Sequence, residues 1–313
     1  MTRAAAIPRN RAAGLIHESR QVLRHPVFLI NLDRQPGRLR FMRAQLEALG
    51  IAPIRIPAVN GRDPVERARS SAAPYAQLSP GEIGCFESHR RIWKRMVDEA
   101  VPAAFVVEDD IILASDFAEL DFPDTGADVI KIDAGIGSPS WYGTAAKPVT
   151  SRRSLRRLLG TEFSTGCYFI TAAGARKLLA RSRNYVDPVD RFMFAQTSRA
   201  FWAMNVWKLV PAAGRQQQEI IASANPLEAE IADSISGGRH KGLEVYAGTD
   251  FWSVQRLRLH RLMHLDLRRF RQHRKRRNLE RFRRHEPIEE TFIAFESPSL
   301  GHVESARLRA IQD

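Results

Sequence analysis

The stretch Ala103-Ala-Phe-Val-Val-Glu-Asp-Asp110 decides how we interpret the fold, because a short apolar run ends abruptly in three consecutive carboxylates. Such a run is typical of a strand that is buried on both faces of a sheet. Its last residues then lie at the carboxyl edge of the sheet, where open α/β sheets bind ligands. Adjacent acids repel one another and lose solvation when partly buried. The triplet therefore predicts either a solvated turn or a cation site.

A β-α-β unit is predicted ahead of this run. Residues 27–32 form an apolar strand, and apolar residues recur at helical spacing between Leu39 and Leu49, before Gly50. Residues 54–56 supply the second strand. Because crossovers between parallel strands are right-handed, this unit predicts a parallel start to the sheet. The first turn lacks the G-x-G-x-x-G pattern of dinucleotide-binding proteins.

A long helix with a strong start signal is predicted next. Residues 58–78 are expected to form a long loop that covers a site. Ser79 as N-cap, Pro80 at the first position and Glu82 at the third predict a capping box, and the helix should reach about residue 100. His89 shares a helix face with Glu82. Glu82 is either a capping carboxylate or a site residue, and His89 is either a core histidine bonded to a backbone carbonyl or a site residue.

The remaining pattern up to about residue 220 alternates strands and helices, which predicts an α/β layered sheet. Asp187-Pro-Val-Asp190 resembles a helix start, with Asp187 as N-cap and Asp190 complementing the helix dipole. Glutamines 216–218 are expected in a loop. Strands are predicted at 129–132, 165–171 and 205–210, a helix at 172–180, and a flexible substrate-side loop at 135–151.

Length and cysteine content limit the class of protein. The 313 residues suit one large α/β domain with extensions, or two small domains. Cys85 and Cys167 are far apart and show no zinc-ligand spacing, so a reducing compartment is expected. No run approaches the roughly 18 apolar residues of a membrane-spanning helix, and residues 1–25 lack the apolar core of a signal peptide.

The basic character of the chain is concentrated in one segment. Residues 256–284 hold thirteen lysines or arginines against Asp266 and Glu280, a balance of +11 within a chain of net charge +13. We therefore divide the chain into a basic arm (1–25), an α/β domain (26–248), a basic amphipathic helical segment (249–286) and a C-terminal tail (287–313). Only the third part carries enough positive charge to suggest binding to a membrane or to nucleic acid.

In that segment apolar residues are interleaved with arginines, as in helices that lie on anionic membranes. An ordinary surface helix, an RNA-binding arm and a disordered tail are the alternatives. Nucleic acid is disfavoured because aromatic stacking platforms are sparse. The residues that we expect to bind the membrane surface are Arg268, Arg269, Arg271, Arg274, Lys275, Arg276 and Arg277.

Taken in order, the motifs resemble glycosyltransferase family 25, the family of bacterial lipooligosaccharide galactosyltransferases and collagen galactosyltransferases. The resemblance covers about residues 26–220. It rests on Ile30-Asn-Leu-Asp-Arg34 with Arg38, Leu78-Ser-Pro-Gly-Glu-Ile-Gly-Cys85 with Ser88, His89 and Trp93, Val106-Val-Glu-Asp-Asp110, Thr165-Gly-Cys-Tyr-Phe-Ile-Thr171, and Pro188-Val-Asp190.

The resemblance implies a GT-A-like, Rossmann-type mixed sheet flanked by helices, extended here by a basic helical C-terminal segment. It also implies a UDP-sugar donor, usually UDP-galactose, and inversion at the anomeric carbon. The acidic triplet stands where GT-A enzymes carry their metal motif, and an all-oxygen site suits Mn²⁺ or Mg²⁺. Asp110 is expected to ligate the metal, while Glu108 and Asp109 position the donor ribose and metal-bound waters.

Other site residues follow from the same resemblance. Those expected near the donor are Asn31, Asp33, Arg34, Arg38, Glu82 and His89. Arginine binds phosphate bidentately, which suits Arg34 or Arg38. Asp190 is the expected base that takes the acceptor hydroxyl proton, and Asp187 is the reserve.

The expected protein is a cytoplasmic enzyme, peripheral on the inner membrane, that transfers galactose to a lipid-linked glycan of lipopolysaccharide. A catalytically silent binding protein, whose basic segment docks on membrane or RNA, is the alternative.

Overall fold

A nine-stranded mixed sheet forms the centre of the computed structural model, which describes residues 23–123, 125–135, 139–217, 272–273 and 275–312. The strands are β1 (Val27–Asn31), β2 (Ile54–Pro57), β3 (Ala103–Glu108), β4 (Ile111–Leu113), β5 (Val129–Lys131), β6 (Ser140–Pro148), β7 (Ser154–Leu158), β8 (Cys167–Thr171), β9 (Val206–Val210), β10 (Gly214–Gln216) and β11 (Ile288–Thr291). The helices are α1 (Pro36–Ala48), α2 (Pro64–Arg69), α3 (Pro80–Asp98), α4 (Ala172–Arg181), α5 (Val189–Phe194), α6 (Arg199–Ala203) and a C-terminal helix (Gly301–Gln312).

The order of the strands in the sheet is β11-β6-β7-β9-β5-β8-β3-β1-β2. β1 runs parallel to both β2 and β3, whereas β8 runs antiparallel to β3 and β5. β4 and β10 form a separate two-stranded sheet. The predicted fold class, a mixed α/β sheet flanked by helices, is confirmed. Because β1 and β3 are parallel neighbours, their carboxyl ends meet at one edge, and this edge carries the acidic triplet.

Two apolar cores lie on opposite faces of the sheet, and β3 contributes to both. Ala104 and Val106 face the core that includes α3, while Phe105 and Val107 face the core that includes α1. All four side chains are fully buried. Burying side chains of this kind stabilises a fold by about 1.5–3 kcal/mol each for the larger ones. The rigid strand therefore ends at a fixed point between two helical layers.

The predicted end of α1 and the predicted start of α3 are confirmed. Gly50 follows α1 with a positive φ of 75°, the conformation that favours glycine at a helix end. Ser79 accepts from the Glu82 backbone N–H at 3.2 Å, and Glu82 accepts from the Ser79 N–H at 2.8 Å, which completes the capping box. In the preceding segment, predicted to be a loop, Asp63 caps the short helix α2 by accepting from the Val65 N–H at 2.8 Å.

The flexible loop predicted at 135–151 is wrong over most of its length, because β6 occupies residues 140–148. β6 pairs with β7 and with β11, which is about 140 residues away in sequence. Non-local pairing of this kind overrides a loop-like composition. Gln216, predicted in a loop, likewise ends β10, which pairs with β4.

Residues 287–313, predicted to be a tail, add to the domain: β11 extends the sheet and the C-terminal helix packs against α1. A buried ion pair helps to hold this region, since Arg153 contacts Asp116 at 2.6 Å and donates to the Glu296 carbonyl at 2.7 Å.

The basic segment is only partly described. Arg268, Arg269, Arg271 and Arg274 lie outside the described residues, whereas Lys275, Arg276 and Arg277 lie in a helical stretch at 275–283. Among the described residues, no helix is long and apolar enough to cross a membrane.

Candidate active site

The acidic triplet faces a cavity of about 660 Å³ at the carboxyl edge of β1 and β3. Glu108 ends β3, and Asp109 and Asp110 form the turn into β4. The other walls are the end of β1, the loop that follows β2, and the first turns of α3. Four arginines also line the cavity: Arg34, Arg38, Arg62 and Arg67. A pocket that joins carboxylates to arginines can hold an anionic ligand together with a cation.

The wall between α3 and the loop after β2 is built by close backbone contact. Ser88 donates to the Gly84 carbonyl at 2.6 Å and accepts from the Val59 N–H at 2.8 Å. A Cβ on Gly84 would lie 2.5 Å from the Val59 carbonyl oxygen, which is closer than real Cβ atoms approach. Only glycine therefore allows the helix and the loop to meet at this point.

Asp109 ties the triplet to β1 and α1. Its carboxylate accepts from Asn31 Nδ2 at 2.7 Å and from Arg38 at 3.2 Å, and both partners are buried. Burial raises the pKa of Asp109, and Arg38 and Asn31 oppose that rise. Because both oxygens are engaged, Asp109 mainly fixes the position of the turn.

Asp110 is the carboxylate that is available to a ligand. Its Oδ1 is buried without a hydrogen-bond partner among the described residues, and its Oδ2 lies 3.9 Å from Arg38. Burial, with the charge of Glu108 next, raises the pKa of Asp110 to about 7. The Asp110 carbonyl accepts from the Gln217 N–H at 2.7 Å, which holds the turn. An unsatisfied buried oxygen is costly unless a cation or a donor reaches it.

Glu108 is held by two hydrogen bonds from side chains. Its Oε1 accepts from His89 Nε2 at 3.1 Å and from Thr165 Oγ1 at 2.7 Å. Burial raises the pKa of Glu108, but these hydrogen bonds and nearby positive charge outweigh burial and hold the pKa below its ordinary value. Glu108 is therefore ionised at neutral pH beside Asp110.

His89 belongs to a buried chain of hydrogen bonds that leads to Glu108. Trp93 Nε1 donates to the Tyr168 hydroxyl oxygen at 3.1 Å, and that hydroxyl lies 2.9 Å from His89 Nδ1. The Tyr168 proton is thus directed to Nδ1, which leaves the proton on Nε2 for Glu108. His89 lines the cavity, and its partners are a phenol and a carboxylate, not the backbone carbonyl of the core-histidine alternative.

The predicted donor-site residues divide by position. Asn31, Arg34 and Arg38 line the cavity. Arg34 donates to Asn60 at 3.1 Å, and Arg38 is only 7% exposed and neutralises the two aspartates. Asp33 is exposed and pairs with Arg55. Their role in donor binding stays a prediction.

Glu82 is the capping carboxylate of α3, as the structural alternative predicted, and it is not among the cavity-lining residues of the described chain.

Asp187 and Asp190 lie outside the lining of this cavity within the described chain. Asp190 accepts from the Arg191 N–H at 2.7 Å and is partly exposed. Its charge contributes to the raised pKa of Cys85, a cavity residue, after burial and Glu108. The predicted N-cap role of Asp187 is wrong, because Pro188 holds that position.

The sequence alone indicates no separate role for Tyr168, Arg62 or Arg67. Thr165 and Tyr168 stand out in it only as parts of a strand motif. The bond from Thr165 to Glu108 spans 57 residues, so it depends on the antiparallel pairing of β8 with β3. Arginines in a loop give no positional signal before the fold is known.

Fold and site together define an α/β protein whose strand-end carboxylates and arginines surround a ligand cavity. Residues 24–123 match the model of glycosyltransferase family 25 (LPS biosynthesis protein). This part of the chain is therefore similar to glycosyltransferase family 25.

Two of the following three curated relatives carry the same family name. The chain is 28% identical over 218 residues to a glycosyltransferase 25 family member of Drosophila pseudoobscura pseudoobscura, which covers 64% of this chain and 34% of that protein. It is 29% identical over 199 residues to the inactive glycosyltransferase 25 family member 3 of Homo sapiens (58% and 33%). A putative glycosyltransferase of Haemophilus influenzae is 26% identical over 177 residues (54% and 61%). The chain thus spans about a third of the length of the two animal relatives.

Among solved structures, a glycosyltransferase involved in glycosylation of the major capsid of PBCV-1 aligns with a TM-score of 0.38 and 7% identity, covering 66% of this chain and 97% of that one. Similarity at this level does not define a shared fold.

Proposed function

We propose that this protein is a metal-dependent, inverting glycosyltransferase that moves a sugar from a nucleotide-sugar donor to a glycan acceptor. UDP-galactose is the proposed donor, and a lipopolysaccharide or lipooligosaccharide glycan is the proposed acceptor. The match of residues 24–123 to the glycosyltransferase family 25 model supports the reaction class. The observation that carries the proposal is the buried, unpartnered Oδ1 of Asp110 at the edge of a cavity lined by arginines.

The residues present fit a hard divalent cation such as Mn²⁺ or Mg²⁺. Such ions are often held by one or two carboxylates together with substrate phosphates and water. Asp110 would hold the cation, and Glu108 adds a second negative charge beside it. When bound, the cation would neutralise charge on the diphosphate leaving group. Asp109, through Asn31 and Arg38, keeps the turn in place.

The cavity arginines supply the remaining positive charge for a diphosphate. Arg34 lies on the first turn after β1, and Arg62 and Arg67 lie on the loop and helix that follow β2. A guanidinium fork can bind two phosphate oxygens at once. Arg38 is engaged with Asp109, so we assign it to balancing the carboxylates and assign phosphate contact to the other three.

Inversion requires a base on the acceptor side of the donor sugar. We propose Asp190 for this role, with Asp187 as the reserve. The assignment is supported by the partial exposure of Asp190 and by its electrostatic influence on the cavity residue Cys85. Asp190 would take the proton of the acceptor hydroxyl as the hydroxyl oxygen attacks the anomeric carbon and the nucleoside diphosphate departs.

A panel of nucleotide sugars, with and without Mn²⁺, tests the reaction class and the donor through release of the free nucleotide. We expect release from UDP-galactose that depends on Mn²⁺ and is lost in Asp110→Asn. Asp98→Asn is the matched control, because Asp98 is an exposed residue paired with Lys94 at the end of α3. Undiminished release by Asp110→Asn, or release that persists after chelation, would contradict the proposal.

A catalytically silent binding protein is the second candidate. It is favoured by one observation, namely that the human relative is named inactive. Calorimetry with UDP-galactose and Mn²⁺ separates the two candidates. Binding without any nucleotide release, with either a lipooligosaccharide acceptor or water, would support the silent protein.

The described part of the basic segment supports a further proposal, that the protein sits on the cytoplasmic face of the inner membrane as a peripheral protein. Phe282 packs against Trp202 with a ring separation of 6.0 Å, so this helical stretch rests on the domain. Arg276, Arg277 and Arg281 remain exposed on it. Basic side chains on such a surface attract anionic headgroups by about 1 kcal/mol each.

Sedimentation with anionic vesicles tests membrane docking. We expect the double substitution Arg276→Glu and Arg277→Glu to reduce the bound fraction strongly at low salt. The matched control, Arg152→Glu with Arg183→Glu, changes the same charge at exposed positions elsewhere. Equal binding by both variants would contradict a local docking face, and salt-sensitive binding to RNA in place of vesicles would favour the RNA alternative.

A further inference from the structure

We propose that Cys85, His89 and Glu108 form a second metal site, which takes a thiophilic divalent cation of the Zn²⁺ type and goes beyond the proposed Mn²⁺ or Mg²⁺ site at Asp110. The ligand atoms of these three residues all lie within 4.8 Å of one another. In a tetrahedral zinc site, with metal–ligand bonds of about 2.0–2.3 Å, neighbouring ligand atoms are about 3.3–3.8 Å apart. The ligand atoms therefore need to approach one another by at most about 1 Å to bind a single zinc ion.

Rigid elements hold all three ligands. Cys85 and His89 are four residues apart on α3, so they project from the same face of the helix. Glu108 ends β3, which is buried on both sides. His89 Nε2 and Glu108 Oε1 are already 3.1 Å apart. Helix and strand thus place sulfur, nitrogen and oxygen donors around one point without a contribution from a loop.

A second layer of side chains orients two of the ligands. The Tyr168 hydroxyl is 2.9 Å from His89 Nδ1, and Thr165 donates to Glu108 at 2.7 Å. Metal-binding histidines usually donate their other ring N–H to such a partner. With a metal bound, Nε2 would give its lone pair to the metal and Nδ1 would carry the imidazole proton and donate it to the Tyr168 oxygen, so the Tyr168 hydroxyl proton would turn away from Nδ1. The Cys85 thiol proton is released to solvent, as in other thiolate sites.

Local charge and the open side of the cluster also favour a cation. Burial, and after it the charges of Glu108, Asp190 and Asp110, raise the pKa of the Cys85 thiol, so a cation would offset the negative charge of these carboxylates. The three ligands line the 660 Å³ cavity, so a fourth coordination position faces ligand-accessible space. Thiolate and imidazole ligands select Zn²⁺ over Mn²⁺ and Mg²⁺, which prefer oxygen. The two sites share the neighbourhood of Glu108 but differ in the metal that they prefer.

Zinc titration of the chelator-stripped full-length protein, in competition with a chromophoric chelator, tests this site. We expect one tightly bound Zn²⁺ per chain in the wild type and at least about 100-fold weaker binding in Cys85→Ser, since even the loss of a supporting residue costs 10–100-fold. Cys167→Ser is the matched control, because Cys167 is a buried cysteine on β8 outside the cavity lining. It should bind Zn²⁺ as the wild type does.

Two further measurements separate this site from alternatives. X-ray absorption of the zinc-loaded wild type should show one sulfur ligand at about 2.3 Å together with nitrogen or oxygen ligands. Asp110→Asn should still bind Zn²⁺, which distinguishes failure of this site from failure of the proposed Asp110 site. Wild-type binding by Cys85→Ser, a zinc shell without sulfur, or no zinc binding by the wild type would each overturn the proposal.

Discussion

Asp110 should make the metal-free protein less stable as the pH rises, and Asp110→Asn should remove that penalty. The pKa of Asp110 is about 7 in the folded protein, against an ordinary value of 3.8. At about 1.4 kcal/mol per pKa unit, the ionised carboxylate costs the fold about 4 kcal/mol. The folded state binds this proton more tightly than the unfolded state. The contribution of protonated Asp110 to the unfolding free energy is therefore fully present below about pH 4, declines as the pH rises, and is lost above about pH 7.

Urea unfolding of the wild type and Asp110→Asn, in chelator-containing buffer between pH 4 and pH 8, measures this effect. Both proteins share all other titrating groups, so the difference between their unfolding free energies isolates Asp110. That difference should grow by up to about 4 kcal/mol in favour of Asp110→Asn across this range. Asp98→Asn should show no comparable growth, because Asp98 is exposed. A difference that does not change with pH would refute our account of a desolvated, unpartnered carboxylate.

Three further substitutions test the surroundings of the triplet. Tyr168→Phe leaves the buried Trp93 N–H and His89 Nδ1 without their hydrogen-bond partner. It should lower the unfolding free energy by about 2–4 kcal/mol in urea titration. A loss below about 0.5 kcal/mol would argue against the hydrogen-bonded chain. Arg38→Met removes the charge that stabilises both aspartates and should raise their pKa values, a change that carboxyl NMR titration would detect; unchanged values would contradict the role given to Arg38. Gly84→Ala should lower the unfolding free energy by about 1–3 kcal/mol in thermal unfolding, because the new Cβ meets the Val59 carbonyl. Unchanged stability would show that α3 and the loop after β2 can move apart.

The parts of the fold that were predictable from sequence depend on local signals. The capping box at Ser79 and the glycine after α1 act over a few residues, so their spacing alone defines those helix ends. The apolar run before Glu108 identified a doubly buried strand for the same reason. The carboxylates at its end could then be located at the carboxyl edge of the sheet by the general behaviour of parallel strands.

The features that could not be predicted from the sequence depend on contacts between residues that are far apart in the chain. β6 forms because β7 and β11 are present, not because of its own composition. The roles of Asn31 and Arg38 as partners of Asp109 became visible only when β1 and β3 were adjacent. His89 could be assigned neither to the core nor to the site until Tyr168 and Glu108 stood on either side of its ring.

Calorimetric titration of UDP into the protein, with Mn²⁺ or with chelator, tests whether the cavity beside Asp110 is a metal-dependent nucleotide site. We predict saturable binding at one site per chain for the wild type and Asp98→Asn in Mn²⁺, and loss of that binding in chelator and in Asp110→Asn. Equal UDP affinity in Mn²⁺ and chelator, or wild-type affinity in Asp110→Asn, would contradict a metal-dependent nucleotide site.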